Sequence, residues 1–270
     1  MNQDPTRLSE EGFVADEISD VIAVVRQRYA GQLIEVRALN QLLTQSQYEL
    51  TIHSQSAQEM TCAALFVRSL AHCQAALILL ERGMEPSARA MIRCALEGLF
   101  NLGACAADSK MALSFVDADQ VDRKRSAKYL AQVQDPSARA SLDEAELAEI
   151  LRTIQLRIDE VEAHEIRTRE MARRAGLEDM YLTAYAMLSG AVHSTVGDLD
   201  HHFQADARGK AMALITAPVI DDLAGSFLLL METMVGLVRA ATKVFNLRVA
   251  DQCEKHLQRF RELYPDVNGR

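Results

Sequence analysis

Two columns of polar side chains stand on helices that are otherwise apolar. In SARAMIRCALEGLFNLGACAA, Arg89, Arg93, Glu97 and Asn101 recur at intervals of four. In YLTAYAMLSGAVHS, Tyr181, Tyr185, Ser189 and His193 do the same. Residues four apart on an α-helix lie nearly above one another, so each set forms one narrow stripe. A solvated face would be broader and would mix in more Lys and Glu. A narrow stripe on a helix fit for burial points to a partner or a cavity. The two inventories are complementary: the arginines donate, Glu97 accepts, and the hydroxyls and imidazole do either. A buried guanidinium or carboxylate is costly unless paired. The stripes are therefore expected to face each other, with Arg93 or Glu97 within hydrogen-bond reach of Tyr185, Ser189 or His193. Arg68 and His72, also four apart, could add a third side.

Two arginines one turn apart suit a phosphate or carboxylate, which guanidinium recognises in planar, bidentate fashion. Arg89, Arg93, Asn101, Tyr185 and Ser189 are the candidate ligand-binding residues. Glu97 and His193 are the candidate catalytic pair, because both titrate near neutrality when perturbed. The expected function is binding of a small or terminal anionic group, a nucleotide or an RNA end, with hydrolytic processing. A second reading fits the same residues. A fully satisfied network can fix helix register in a non-catalytic interaction or scaffold protein. The sequence leaves both open, and with them whether the protein is an enzyme.

Other constellations are weaker. Asp198, Asp200, His201 and His202 offer metal ligands within five residues, but adjacent histidines in a loop are more often incidental. No E-x-x-H pair of the di-iron bundle type occurs, and no metal or cofactor is expected. Ser189 and His193 lack a G-x-S-x-G turn, and there is no Gly-rich phosphate loop. Arg157 and His164 have the spacing of a helical-nuclease signature, yet they stand in RIDEVEAHEIRTRE, where a solvated face is the better explanation. The five cysteines form no C-x-x-C pair. Cys62 and Cys73, like Cys94 and Cys105, are eleven apart around the RGMEP turn. An antiparallel hairpin would set Cys73 level with Cys94 and Cys62 level with Cys105, as small buried residues allowing close helix approach.

The elements that must position these residues read as all-α. The 270 residues include only 12 Gly and 5 Pro, with 5% aromatics and no Trp, a balance that favours helices. We expect a single multi-helix bundle with a long charged helical hairpin and no substantial sheet. Residues 1–12 read as disordered and 13–264 as one helical domain. Within it, 13–50 hold N-terminal helices interrupted at Gly31, with Val14, Ile18, Val21 and Val25 in the first apolar stripe. Residues 57–107 form a core hairpin turning at Gly83 and Pro86. Residues 109–175 form the charged hairpin, whose second helix opens with a Ser141–Glu144 capping box and runs to Arg174. C-terminal helices fill 178–264, including Val219–Phe245 and Arg248–Leu263. The N-terminal stripes need a cover: they either fold over their own bundle or meet the same helices of a second subunit. A homodimer is favoured because the Leu147–Val161 seam offers a second surface.

A net charge of −9 argues against non-specific nucleic-acid binding. The N-terminus shows neither a basic n-region nor an apolar h-region. Leu223–Val238, the most apolar stretch, is interrupted by Glu232 and reads as too short for a span. The expected compartment is the cytoplasm, with no membrane partner.

LLERGMEPSARAMIRCALEGLFNL, followed after a charged insertion by YLTAYAMLSGAVHS, resembles a bacterial family known only as a domain of unknown function (number fifty-six seventy-seven). That family pairs an Arg-x-x-x-Glu helix, matched by Arg93 and Glu97, with a Tyr-x-x-x-Ser-x-x-x-His helix, matched by Tyr185, Ser189 and His193. The resemblance covers roughly residues 57–194. It implies a helical bundle and no settled activity.

Overall fold

The helical repeats of the sequence become helices stacked around one central member. The computed structural model describes residues 10–16, 18–133, 143–193, 199, 202–206 and 208–263. After a 3₁₀ turn at Gly12–Val14 come α1 (Ile18–Arg28), α2 (Ala30–Ser46), α3 (Ala57–Glu81), α4 (Glu85–Ala107), α5 (Ser109–Gln132), α6 (Glu144–Val161) and α7 (Thr168–Ala175). A turn at Glu178–Met180 leads through a π-helical segment, Tyr181–Tyr185, into α8 (Ala186–His193). Two short strands, β1 (Phe203–Ala205) and β2 (Ala211–Leu214), precede α9 (Ala224–Phe245) and α10 (Ala250–Leu263). The fold is all-α, its only described sheet an antiparallel two-stranded hairpin.

The α3–α4 hairpin is the centre, as its composition demands. The Ser56 hydroxyl caps α3 by accepting from the Glu59 amide. The helix ends in a Schellman motif: Met84 N–H donates to Leu79 C=O and Gly83 N–H to Leu80 C=O, with Gly83 at φ 69°. A side chain at Gly83 would also strike the backbone of Val219 and the Pro218 ring. α4 packs against α3, α5, α7, α8 and α9, and buries Ile92, Leu96, Leu99, Phe100 and Leu102 completely. Gly98 lets it approach Ser69 of α3, where any Cβ would collide with the serine hydroxyl.

Several expectations need correction. Glu10 and Glu11 are already helical and lead into the 3₁₀ turn, ahead of the expected start at Phe13, and Val14 is 85% exposed, outside any buried stripe. Gly31 lies inside α2, close to Leu263; the slight break falls at Tyr29, whose hydroxyl turns away to bond Ile220 C=O and Leu223 N–H. The capping box of α6 is Asp143–Glu146, two residues beyond the expected Ser141–Glu144 pair, and Ser141 lies outside the described residues. The charged helix does not run unbroken to Arg174. Glu162, in the left-handed conformation, ends α6, and α7 restarts at Thr168. The β1–β2 hairpin was not foreseen. Its turn is built by Asp206, whose carboxylate accepts from the Arg208 and Lys210 amides, and by Gly209 at φ 76°.

The N-terminal stripes find their cover within the chain. Val25, Leu33, Val36, Leu39 and Leu43 are buried, with α2 against α9 and α10 and α1 against α3. α3, α4 and α9 are long and apolar enough to cross a membrane by length and composition, contrary to the estimate that the Leu223–Val238 stretch falls short. Here those three helices pack on one another.

Candidate functional site

Helix α4 turns its polar stripe toward the 181–193 segment, and the two columns meet at one point. Arg93 Nη2 donates to Tyr185 Oη at 2.6 Å, and Arg93 Nη1 lies 3.0 Å from Glu97 Oε2. Tyr185 Oη in turn donates to Glu97 Oε2 at 3.1 Å. The guanidinium carbon stands 4.6 Å from the centre of the Tyr185 ring, a cation–π contact. Tyr185 stacks on Tyr181 with centroids 5.1 Å apart and meets Phe100 edge-on at 5.6 Å. Burial, and then the Glu97 charge, raise the phenol above its ordinary value, against the opposing pull of Arg93 and Thr168. The phenol therefore stays protonated and keeps its donor role.

The exposures within this triad are unequal. Tyr185 is buried and the Arg93 side chain is 16% exposed, but the Glu97 side chain is 39% exposed. Both bonds to Glu97 end on Oε2; among the described residues Oε1 has no hydrogen-bond partner. Arg93 Nε is buried without a hydrogen-bond partner among the described residues. Arg89, one turn back, has its Nε 3.8 Å from Glu85 Oε1, and Glu85 also accepts from Ser226 Oγ at 2.8 Å. The stripe thus begins at Glu85, the first residue of α4, four residues before Arg89.

Other predicted members are placed differently. Ser189 does not reach the triad: its hydroxyl donates to the Tyr185 carbonyl at 2.9 Å, back into its own helix. Asn101 is half-buried one turn past Glu97. His193 ends α8, and its side chain lies outside the described residues, as do Asp198, Asp200 and His201. His202 is exposed, and no cluster of three metal-ligating side chains exists among the described residues. Arg68 is exposed, and His72 sits by the Cys94 backbone rather than the triad, its Nδ1 buried without a hydrogen-bond partner among the described residues. Arg157 pairs with Glu160 on the surface and His164 is exposed, as a solvated face requires. Thr168, at the start of α7, escaped sequence reasoning; only the fold brings it to Tyr185.

The π-helical stretch carries both tyrosines of the column. A wider turn shifts side chains relative to an even four-residue column, and such segments gather at functional sites. Here it ends on Tyr185 itself.

The model of a family of unknown function (DUF5677) matches residues 59–211, more than half of the chain, and the chain belongs to that family. The match spans both polar stripes. No curated protein and no solved structure matches.

Proposed function

We propose that this member of DUF5677 binds a small or terminal anionic group, of the kind a nucleotide or an RNA end presents, at the Arg93–Tyr185–Glu97 triad. The observation that carries the reading is the partly exposed Glu97 carboxylate, whose Oε1 has no hydrogen-bond partner among the described residues. Arg93 and Tyr185 hold the carboxylate by one oxygen and leave the other open. An incoming phosphate or carboxylate would compete with Glu97 for Arg93 in the same geometry, with Arg89 adding positive charge one turn away. For hydrolysis, Glu97 Oε1 would take the proton of the attacking water, and His193 would return a proton to the leaving oxygen.

Titration of the intact chain with inorganic phosphate, AMP and a short 5′-phosphorylated oligoribonucleotide tests this, followed by calorimetry. Saturable binding by at least one probe is expected, lost in Arg93→Ala and retained in Glu97→Gln, which would lose only turnover. No binding of any probe at millimolar concentration would sink the proposal.

A second reading, a non-catalytic interaction or scaffold protein, is favoured by one specific fact: guanidinium, phenol and carboxylate already satisfy one another. On that reading Glu97→Gln and Tyr185→Phe lower stability and change nothing else. A cytoplasmic location and a homodimer are proposed alongside the function, supported by the charge balance and by the exposed apolar side chains Met187, Met212 and Leu214.

A further inference from the structure

A cavity of about 350 Å³ opens on a different face of α4, and none of its lining residues belongs to either polar stripe. Its walls come from α4, α9, α10 and the turn after α7. Two close approaches at glycines shape those walls. A Cβ on Gly103 would stand 2.7 Å from the Ala175 side chain, and one on Gly236 would stand 2.7 Å from Leu99. The floor is apolar, formed by Leu99, Leu177, Met180 and Leu257.

The mouth is charged. Positions 232, 236, 239, 240 and 243 follow one face of α9, so Arg239 and Lys243 stand one turn apart there, and Arg261 joins them from α10. Arg261 pairs with Glu232 at 2.7 Å, and Arg239 pairs with Glu254. Lys243 is exposed and has no carboxylate partner among the described residues. Three cations against two carboxylates leave one positive charge at the rim of an apolar, preformed hollow.

We propose that this cavity binds a small organic acid: a compact apolar body with a single anionic head seated at Lys243. The volume equals the liquid share of roughly a dozen waters, room for a body of about ten heavy atoms. Small-ligand sites combine an apolar lining with a few placed polar groups in this way. Inorganic phosphate lacks the body and an alcohol lacks the head. This site is independent of the Arg93 triad.

Sodium octanoate is the probe, with 1-octanol as the uncharged control, in methyl NMR of the intact chain. Saturable shifts of Met180 and Leu257 methyls are expected with octanoate, and binding about tenfold weaker with octanol. Lys243→Glu, on the surface and confirmed folded by its melting curve, should weaken octanoate about tenfold and leave octanol unchanged. Arg93→Ala should leave octanoate binding intact, which separates this test from that of the triad. Absence of saturable shifts at millimolar octanoate would overturn the proposal, as would equal binding of acid and alcohol, or an undiminished response in Lys243→Glu.

Discussion

Arg93 makes an ion pair, a hydrogen bond and a cation–π contact at once, yet the carboxylate it holds is not deeply buried. That decides the size of the effect at Glu97. Removing the partner of a fully buried charge costs about 3–5 kcal/mol. Glu97→Ala leaves the Arg93 guanidinium, 16% exposed, without its carboxylate. Water can enter the place of a side chain 39% exposed, so the expected cost in urea unfolding is about 1–3 kcal/mol. A loss above about 3 kcal/mol would identify the triad as structural. The cysteines give a second residue-scale test. Burial pushes the Cys62, Cys73, Cys105 and Cys253 thiols to about 12, whereas Cys94 is only half-buried. Since the thiolate is the nucleophile, iodoacetamide at pH 8 should label Cys94 alone in the native chain, as read by mass spectrometry. His72 carries a pH dependence. Burial, and then the Arg68 charge, hold its imidazole below the usual 6.5. The unfolded chain therefore binds that proton more tightly, so the stabilisation is present above about pH 6.5 and is lost as pH falls through the lower folded value. Replacing His72 by Gln should flatten that acid limb of the stability curve.

Among the elements, α1 and α2 are tied to the core by a clamp that no local pattern announces. Glu81, the last residue of α3, has a side chain 9% exposed. Its Oε2 accepts from Arg26 Nε and Nη2 at 3.0 and 2.8 Å, and its Oε1 accepts from Arg37 Nε and Nη2 at 3.1 and 2.5 Å. Two forked guanidinium groups thus enclose one carboxylate. The two arginines are about half-exposed, so the burden is asymmetric. Arg26→Ala with Arg37→Ala strands a buried anion and should cost about 3–5 kcal/mol. Glu81→Gln leaves cations that water can reach and should cost less. Urea unfolding of the two variants checks the order, and the reverse order would show that the clamp is not held by the buried carboxylate.

For the whole molecule, the first helices complete the core. Each of Val25, Leu33, Val36, Leu39 and Leu43 is buried and contributes about 1.5–3 kcal/mol. Together they match the roughly 5–15 kcal/mol that keeps a typical domain folded. A chain starting at Ser54 should therefore lose cooperative unfolding and aggregate, as circular dichroism and light scattering would show. A soluble, cooperatively folded truncation would contradict the packing. Light scattering of the intact chain across the micromolar range tests the proposed dimer, which now rests on exposed side chains of α8 and the β hairpin, not on α1 and α2.

The sequence by itself determined what is local. Helical spacing, the Gly83–Pro86 turn and the scarcity of Gly and Pro follow from backbone chemistry, so the α3–α4 hairpin and its centrality were legible. The meeting of Arg93 and Glu97 with Tyr185 was legible too, because unpaired ionic groups on apolar helices must find each other. Tertiary structure alone decided the rest. It made Tyr181–Tyr185 a π segment, since tertiary packing can outweigh the even helical repeat. It turned Ser189 back to its own helix, choosing among partners equally open to a hydroxyl. It broke the charged helix at Glu162, where no Gly or Pro marks the stop. It also set Arg26 and Arg37 on Glu81 across 55 and 44 residues. Such pairings depend on which helices become neighbours, and no periodicity encodes that.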